Sequence, residues 1–157
     1  MRIGIISDSH DNLDKLNIAV DVFNANKISL VLHAGDYVAP FAVSVLNRLK
    51  MPYFGVYGNN DGEKEGLSKM SQGRIKEAPL RIIKGGKKIV VAHSLSDINF
   101  KKNNFDLVVY GHSHKAEIYK EDRAVFINPG ECCGWLTGKA TIAICNLADL
   151  TCHILQI

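Results

Sequence analysis

No run of apolar residues in this chain approaches the roughly 18 needed to cross a bilayer. The amino terminus also lacks a signal peptide's central stretch, because Ile3-Gly4-Ile5-Ile6 is followed at once by Ser7-Asp8. A soluble, cytoplasmic protein without a membrane partner is expected. An excess of one charge is missing as well: 19 basic residues against 16 acidic ones leave a net charge of +3, with the lysines scattered along the chain. Specific nucleic-acid binding, which draws on clustered positive charge, is not expected. The pairs Lys87-Lys88 and Lys101-Lys102 read as solvated surface. Cysteine is scarce, confined to Cys132, Cys133, Cys145 and Cys152, and no pair has the C-x-x-C spacing of a zinc knuckle. In a cytosolic chain these read as reduced thiols, with Cys145 and Cys152 in the core. Internal repeats, low-complexity tracts and linkers are absent, so a single domain over 1–157 is expected.

What is present is a change of pattern along the chain. In the first half short apolar runs alternate with helical periodicity, the mark of an α/β fold with a largely parallel sheet. Strands are expected over 3–7, 28–32 and from Pro52 to Val56 or Tyr57. Between them, Asn12 can cap a helix carrying Leu13, Leu16, Val20 and Phe23 on one face, and Pro40 suits the first turn of another over 41–49. In the second half tight turns replace the helices. Strands over 80–83 and 88–91 flank Gly85-Gly86, a pair suited to the positive φ angles of a two-residue hairpin. Further strands are read at 107–110, 117–119 and 125–127, and 141–145 and 152–157 form a closing hairpin. Two sheets packed face to face, with helices outside the first, account for this order.

Nearly every ligand-type side chain falls just after one of these strands. Asp8-Ser9-His10 follows the first, Gly35-Asp36 the second and Gly58-Asn59-Asn60-Asp61 the third, while Ala92-His93 and Gly111-His112-Ser113-His114 follow two strands of the second half. Ligands of open α/β sheets bind beyond the carboxyl ends of the strands, so five segments are expected to converge. Asp8, His10, Asp36, Asn59, His93, His112 and His114 would supply seven nitrogen or oxygen donors and no thiolate. That is too many for one ion and suits two sharing a carboxylate; the mixture favours Mn²⁺, Ni²⁺, Fe, Co²⁺ or Zn²⁺ over Mg²⁺ or Ca²⁺. Glycines before Asp36, Asn59 and His112 would let the strand turn sharply and bring the next side chain inward.

In this order and spacing, Asp8-x-His10, Gly35-Asp36, Gly58-Asn59-x-Asp61, His93 and Gly111-His112-x-His114 resemble the calcineurin-like metallophosphoesterases, and most closely the small YfcE-type phosphodiesterases. The resemblance spans essentially the whole chain, including Asn128-Pro129-Gly130. It implies a four-layer α/β/β/α sandwich with mixed sheets, and a metal-dependent phosphodiesterase in which a hydroxide shared by two ions attacks phosphorus in line. By the same likeness Asp8, His10 and His114 hold one ion, Asn59, His93 and His112 the other, and Asp36 bridges them. Mn²⁺ is the favoured metal. His10, Asp36 and Asn60 are the residues counted as catalytic.

Two departures from the family pattern bear on chemistry. Many members carry a histidine where this chain has Asn60, and asparagine donates a hydrogen bond but cannot deliver a proton at neutral pH. Glu131 stands where relatives often carry a small hydroxyl residue. Outside the seven donors, His33 reads as a packing residue that orients the Asp36 loop, and His153 as an exposed strand residue. Asp11 and Asp14 suit the positive end of the first helix. Asp61 reads as a brace for the Gly58 loop, and Cys132 and Cys133 as neighbours of the cleft edge. A phosphomonoesterase or nucleotide hydrolase would need the same metals. A protein-binding scaffold like the retromer subunit of this fold would not. A small phosphorylated substrate is expected, and uncovered edge strands leave room for a homodimer or larger homo-oligomer.

Overall fold

Alternation of apolar side chains along the strands sorts the core into three layers, each on one side of a sheet. In the computed structural model, which describes residues 1–102 and 104–157, β1 (Arg2–Ile6), β2 (Ile28–His33), β3 (Tyr53–Val56) and β4 (Ile75–Lys76) run parallel. The hairpin of β10 (Thr141–Asn146) and β11 (Thr151–Gln156) extends this sheet antiparallel to β1, giving the order β11-β10-β1-β2-β3-β4. The second sheet has the order β5-β6-β7-β9-β8, from β5 (Leu80–Lys84), β6 (Lys87–Val91), β7 (Leu107–Val109), β8 (Glu117–Glu121) and β9 (Ala124–Asn128). Its central strands β6, β7 and β9 are parallel and its two edges antiparallel, so both sheets are mixed.

Ile3, Ile5, Leu30, Leu32, Ile89, Val91, Leu107 and Val109 are buried between the sheets. The other face of the first sheet lies under α1 (Leu13–Ala25), α2 (Phe41–Leu46) and α3 (Lys64–Met70), which bury Leu16, Val20, Phe23, Val43 and Leu67 against Ile6 and Val31. Asn12 caps α1 as its position suggested: its side chain accepts from Lys15 N and donates to the Cys133 carbonyl, joining the start of the helix to the far end of the chain. The outer face of the second sheet, lined by Val90, Val108, Tyr110 and Phe126, is covered more thinly. Ile98 and Phe105 pack there, beside two 3-10 turns at Leu95–Asp97 and Phe100–Lys102.

The Gly85-Gly86 hairpin forms as its composition required, with φ of 56° and 74°. Three local features differ from the sequence reading. Helix α2 ends at Leu46, short of Leu49. Helix α3 and the two-residue β4 were not anticipated, because Gly66 sits inside the helix and the strand is too short to show a period. Cys145 and Cys152 are not reduced thiols: they lie opposite each other in the β10–β11 register and are joined by a disulfide. Antiparallel register brings them together across a hairpin, which spacing along the chain does not display. Cys132 and Cys133 are free and buried. Among the described residues no helix is long and apolar enough to cross a membrane.

Candidate metal centre

The carboxyl ends of β1, β2, β3, β6 and β7 point to one side of the sandwich, so the segments that follow them meet across the seam between the sheets. Backbone hydrogen bonds lock them together. Asp8 N donates to the Gly35 carbonyl, His10 N to that of Asp36, Gly111 N to that of His93 and Cys133 N to that of Asp8. Five of the seven proposed ligands have left-handed backbone, with φ of 51° at Asp8, 40° at His10, 61° at Asp36, 68° at His112 and 60° at His114. Such conformations cost on the order of 1 kcal/mol or more each and persist where surrounding structure enforces them, which is typical of functional sites.

The glycines act differently from the sequence expectation at two of three positions. Gly35 does turn the chain, with φ of 97°. Gly58 and Gly111 instead permit close approach: a Cβ on Gly58 would fall on the carboxylate of Asp36, and one on Gly111 on the hydroxyl of Ser7, next to Asp8.

Asp8, Asp36 and His93 are buried, and His10 and His114 are half-buried. Suitable ligand atoms of Asp8, His10 and His114 lie within 4.8 Å of one another, as do those of Asp8, Asp36 and His93. Nε2 of His10 is 3.9 Å from Asp8 Oδ1 and 3.5 Å from Asp36 Oδ2, and Nε2 of His114 is 3.6 Å from Asp8 Oδ1. Asn59 and His112 are the exposed members, with His112 Nδ1 2.9 Å from Asn59 Oδ1. The structure therefore brings all seven together.

This donor set fits a cation on two grounds. Among the described residues, the buried atoms Asp8 Oδ1 and His10 Nε2 have no hydrogen-bond partner, although buried polar groups are almost always paired. Burial pushes the Asp8 carboxyl above its ordinary range despite the hydrogen bond from Ser7 and the nearby His93 and His114 rings. His93 gives the second ground. Its Nδ1 is 2.8 Å from the Ala34 carbonyl and donates to it, so Nε2 of the neutral ring offers only a lone pair. That lone pair faces two oxygen acceptors, Asn59 Oδ1 at 2.9 Å and Asp36 Oδ2 at 3.4 Å. Three acceptors facing one another need positive charge among them, either a metal cation or a proton on His93. Without metal the proton is favoured: burial lowers the His93 pKa, but its hydrogen bond to Asp36 and that carboxylate's charge raise it further.

With this geometry established, comparison with known proteins gives a direct answer. The model of the calcineurin-like phosphoesterase superfamily domain matches residues 1–150. The chain belongs to the calcineurin-like phosphoesterase superfamily. A phosphodiesterase of Methanocaldococcus jannaschii is 36% identical over 152 residues, covering 92% of each chain. The solved structure of an archaeal phosphodiesterase superposes with a TM-score of 0.90 at 33% identity, covering all of both chains. The Escherichia coli phosphoesterase Yfce, at 16% identity and a TM-score of 0.77 over all of this chain and 98% of its own, shares the fold. Divalent metal binding is the family's chemistry, and the clusters above are where this phosphoesterase can provide it.

Around the donors lies a shell of braces. Asp61 accepts from Gly58 N at 2.7 Å, Asp36 N at 3.0 Å and Val38 N at 2.7 Å, so it holds both the Gly58 loop and the Asp36 loop. His33 is fully buried, stacks on Tyr37 with ring centroids 3.8 Å apart, and accepts from Gly35 N on Nδ1. Its Nε2–H then points to Ser9 Oγ at 3.3 Å, and burial lowers its pKa to about 3, so this ring stays neutral and orients the loop. Asn128 donates to the Gly111 carbonyl and to Ser113 Oγ, clamping the loop that bears His112 and His114. Asn60 is exposed, and its amide donates to Asp36 Oδ2 at 2.7 Å while its N–H donates to Oδ1 at 2.8 Å. His153 is exposed on β11, away from these segments.

Two residues at this centre were not legible as such in the sequence. Glu131, marked only as a departure from the family, is fully buried, and its Oε2 accepts from His114 Nδ1 at 2.8 Å. That bond fixes the ring so that Nε2 presents its lone pair toward Asp8, the arrangement by which carboxylates orient metal-binding histidines. Burial would raise the Glu131 pKa, but hydrogen bonds from His114, Thr137 and Leu136 outweigh it and hold the carboxyl at about 2. Cys133 Sγ also donates to Glu131, placing a buried thiol beside the cluster; burial above all pushes that thiol up to about 12. Trp135 is the other residue, exposed with its ring centroid 6.4 Å from that of His10. No hydrophobic period marks either position.

Proposed function

We propose that this chain is a phosphodiesterase whose seven donors hold two divalent ions, with Asp8, His10 and His114 on one, Asn59, His93 and His112 on the other, and Asp36 shared. The observation that carries this reading is the acceptor cluster itself, with its unpartnered Asp8 and His10 atoms and the lone pairs gathered around His93. A protein-binding scaffold has no chemical need to bury such atoms. Bound as a pair, divalent ions of the Mn²⁺, Ni²⁺, Fe, Co²⁺ or Zn²⁺ type would supply charge neutralisation at phosphate oxygens and an acidified water. The chain's own residues do the positioning. Ala34 and Glu131 each take the Nδ1–H of a histidine, which aims Nε2 of His93 and His114 into the cluster. Asn60 holds both oxygens of Asp36 and offers no acidic proton, so protonation of the leaving group is left to water.

A diester, with two arms on phosphorus, fits the surroundings of the cluster. On the His93 and His112 side opens a polar cleft of about 370 Å³, bordered by Lys64, Ser94, Ser96 and Asp97. Lys64, the one lysine or arginine among the described residues lining that cleft, is paired with Glu77, so the cleft offers little free positive charge to hold a polynucleotide, and a small phosphorylated substrate is the better fit. β8, exposed along its length at the edge of the second sheet, gives a second copy a place to pair.

The test is hydrolysis of a bis-aryl phosphate and of the matching aryl monoester by chelated protein, before and after Mn²⁺, Ni²⁺, Mg²⁺ or Zn²⁺ is added. Transition-metal-restored cleavage with the diester faster is expected. Folded, metal-loaded protein inert on both would sink the proposal, and a faster monoester would reassign the substrate. Asn60→His is expected to raise rates on esters with poor leaving groups by about 10²-fold, the lower range for a general acid, and to change little for activated ones. The slope of log rate against leaving-group pKa reads this directly; a slope equal to that of the unsubstituted protein would reject the role given to Asn60.

A further inference from the structure

A large, exposed aromatic side chain standing over a polar centre has no packing reason to be there. Trp135 is 63% exposed and its neighbour Leu136 is 76% exposed, although both lie in a segment anchored from below. Glu131 accepts from Leu136 N at 2.9 Å, Thr137 N at 2.5 Å and Thr137 Oγ1 at 2.7 Å, while the same carboxylate accepts from His114. One buried group therefore sets both a proposed metal ligand and the loop that carries the indole. The rings form a rising series. His114 and His10 stack with centroids 5.1 Å apart at 23°, and Trp135 follows His10 at 6.4 Å and 31°. The series starts at the donor cluster and ends in solvent with an open aromatic face tilted toward the centre's rim.

Resting on the phosphodiesterase reading above, we propose that Trp135 is a specificity-determining residue: its indole face receives a flat aromatic group, a nucleobase or an aryl ring, on one arm of the diester. The two flanks of the centre are chemically unlike, since the His93 and His112 side opens on the polar cleft while the His10 and His114 side presents Trp135 and Leu136. A diester with one aromatic and one polar arm matches both flanks in a single orientation. The indole stacks on any base without hydrogen-bond readout, so the preference is for an aromatic group and not for one base.

Trp135 is the chain's single tryptophan, so its fluorescence reports on this face alone. Mn²⁺-loaded protein is titrated with adenosine 5′-monophosphate, glycerol 3-phosphate and inorganic phosphate, following emission and, by calorimetry, affinity. The nucleotide is expected to quench the emission and to bind about tenfold more tightly than glycerol phosphate. Trp135→Ala should erase that tenfold difference by lowering nucleotide affinity alone, and Trp135→Phe should retain most of it. Equal affinity for nucleotide and glycerol phosphate in the parent protein, or a preference that survives in Trp135→Ala, overturns the platform while leaving the phosphoesterase reading intact. Failure of all three compounds to bind, inorganic phosphate included, overturns the reading of the centre and the platform with it.

Discussion

Replacing Asp36 with alanine is expected to lower metal-restored diester hydrolysis by more than about 100-fold, beyond the usual cost of losing a residue that merely supports a metal ligand. Asp36 is 1% exposed, and its Oδ2 lies 3.5 Å from His10 Nε2 and 3.4 Å from His93 Nε2, so it faces both halves of the donor set at close range. Its removal leaves each half short of a ligand. Asn60 loses its acceptor and His93 its neighbouring carboxylate, so the melting temperature of metal-free protein should fall as well. The comparison that matters is activity against calorimetric metal stoichiometry. Retained activity with a full complement of metal would remove Asp36 from the centre.

The Asp36 carboxyl also carries a pH dependence in metal-free protein. Burial acts to raise its pKa, but hydrogen bonds to His93 and Asn60 and the charge of His93 outweigh this and hold it well below the ordinary carboxylate range. A depressed folded-state pKa means that the unfolded chain takes up the proton first as pH falls. This contribution to stability is therefore complete above the unfolded value of about 4 and is lost progressively in more acid solution.

Glu131→Ala is the second large effect, and it acts on two properties at once. Metal affinity should weaken by about 10- to 100-fold, because His114 loses the acceptor that fixes its tautomer and ring orientation. Stability should fall by about 1 to 3 kcal/mol, since the backbone N–H groups of Leu136 and Thr137 lose the carboxylate that accepts them in a partly buried setting. Glu131→Gln separates the two. It keeps the shape and one acceptor oxygen but not the charge, so more of the stability than of the metal affinity should return. Calorimetric metal titration alongside thermal unfolding checks both; unchanged affinity in Glu131→Ala would show that His114 does not depend on this carboxylate. In metal-free parent protein the Glu131 contribution should be complete above about pH 4.3 and decline as pH falls toward its folded-state value of about 2.

Much of the site could be read in advance because strand ends are visible in sequence. Apolar runs ending at Ile6, His33, Val56, Val91 and Val109 are each followed within a few residues by a glycine, carboxylate, asparagine or histidine, and parallel strands deliver such residues to one edge. Asp61 and His33 were legible as braces for the same reason. Glu131 was not: nothing local tells a buried glutamate that accepts from His114 and the 136–137 backbone from one in solvent. The disulfide was hidden likewise, since Cys145 and Cys152 meet only through the register of β10 and β11.

Local chemistry along the chain, meaning its apolar periods, Asn12 cap, Gly85-Gly86 turn and strand-end ligand types, was thus enough by itself to point to two sheets packed face to face and to seven candidate donors at strand ends, while the family resemblance supplied the mixed order of the sheets. These depend on contacts a few residues long, where composition and spacing act directly. Tertiary structure alone decided which donors are buried without partners, which carboxylate orients His114, why Gly58 and Gly111 must lack a Cβ, and that Trp135 stands open beside His10. Each of those depends on atoms far apart in the chain being packed together, and the cost of burying charge is not defined until the packing exists.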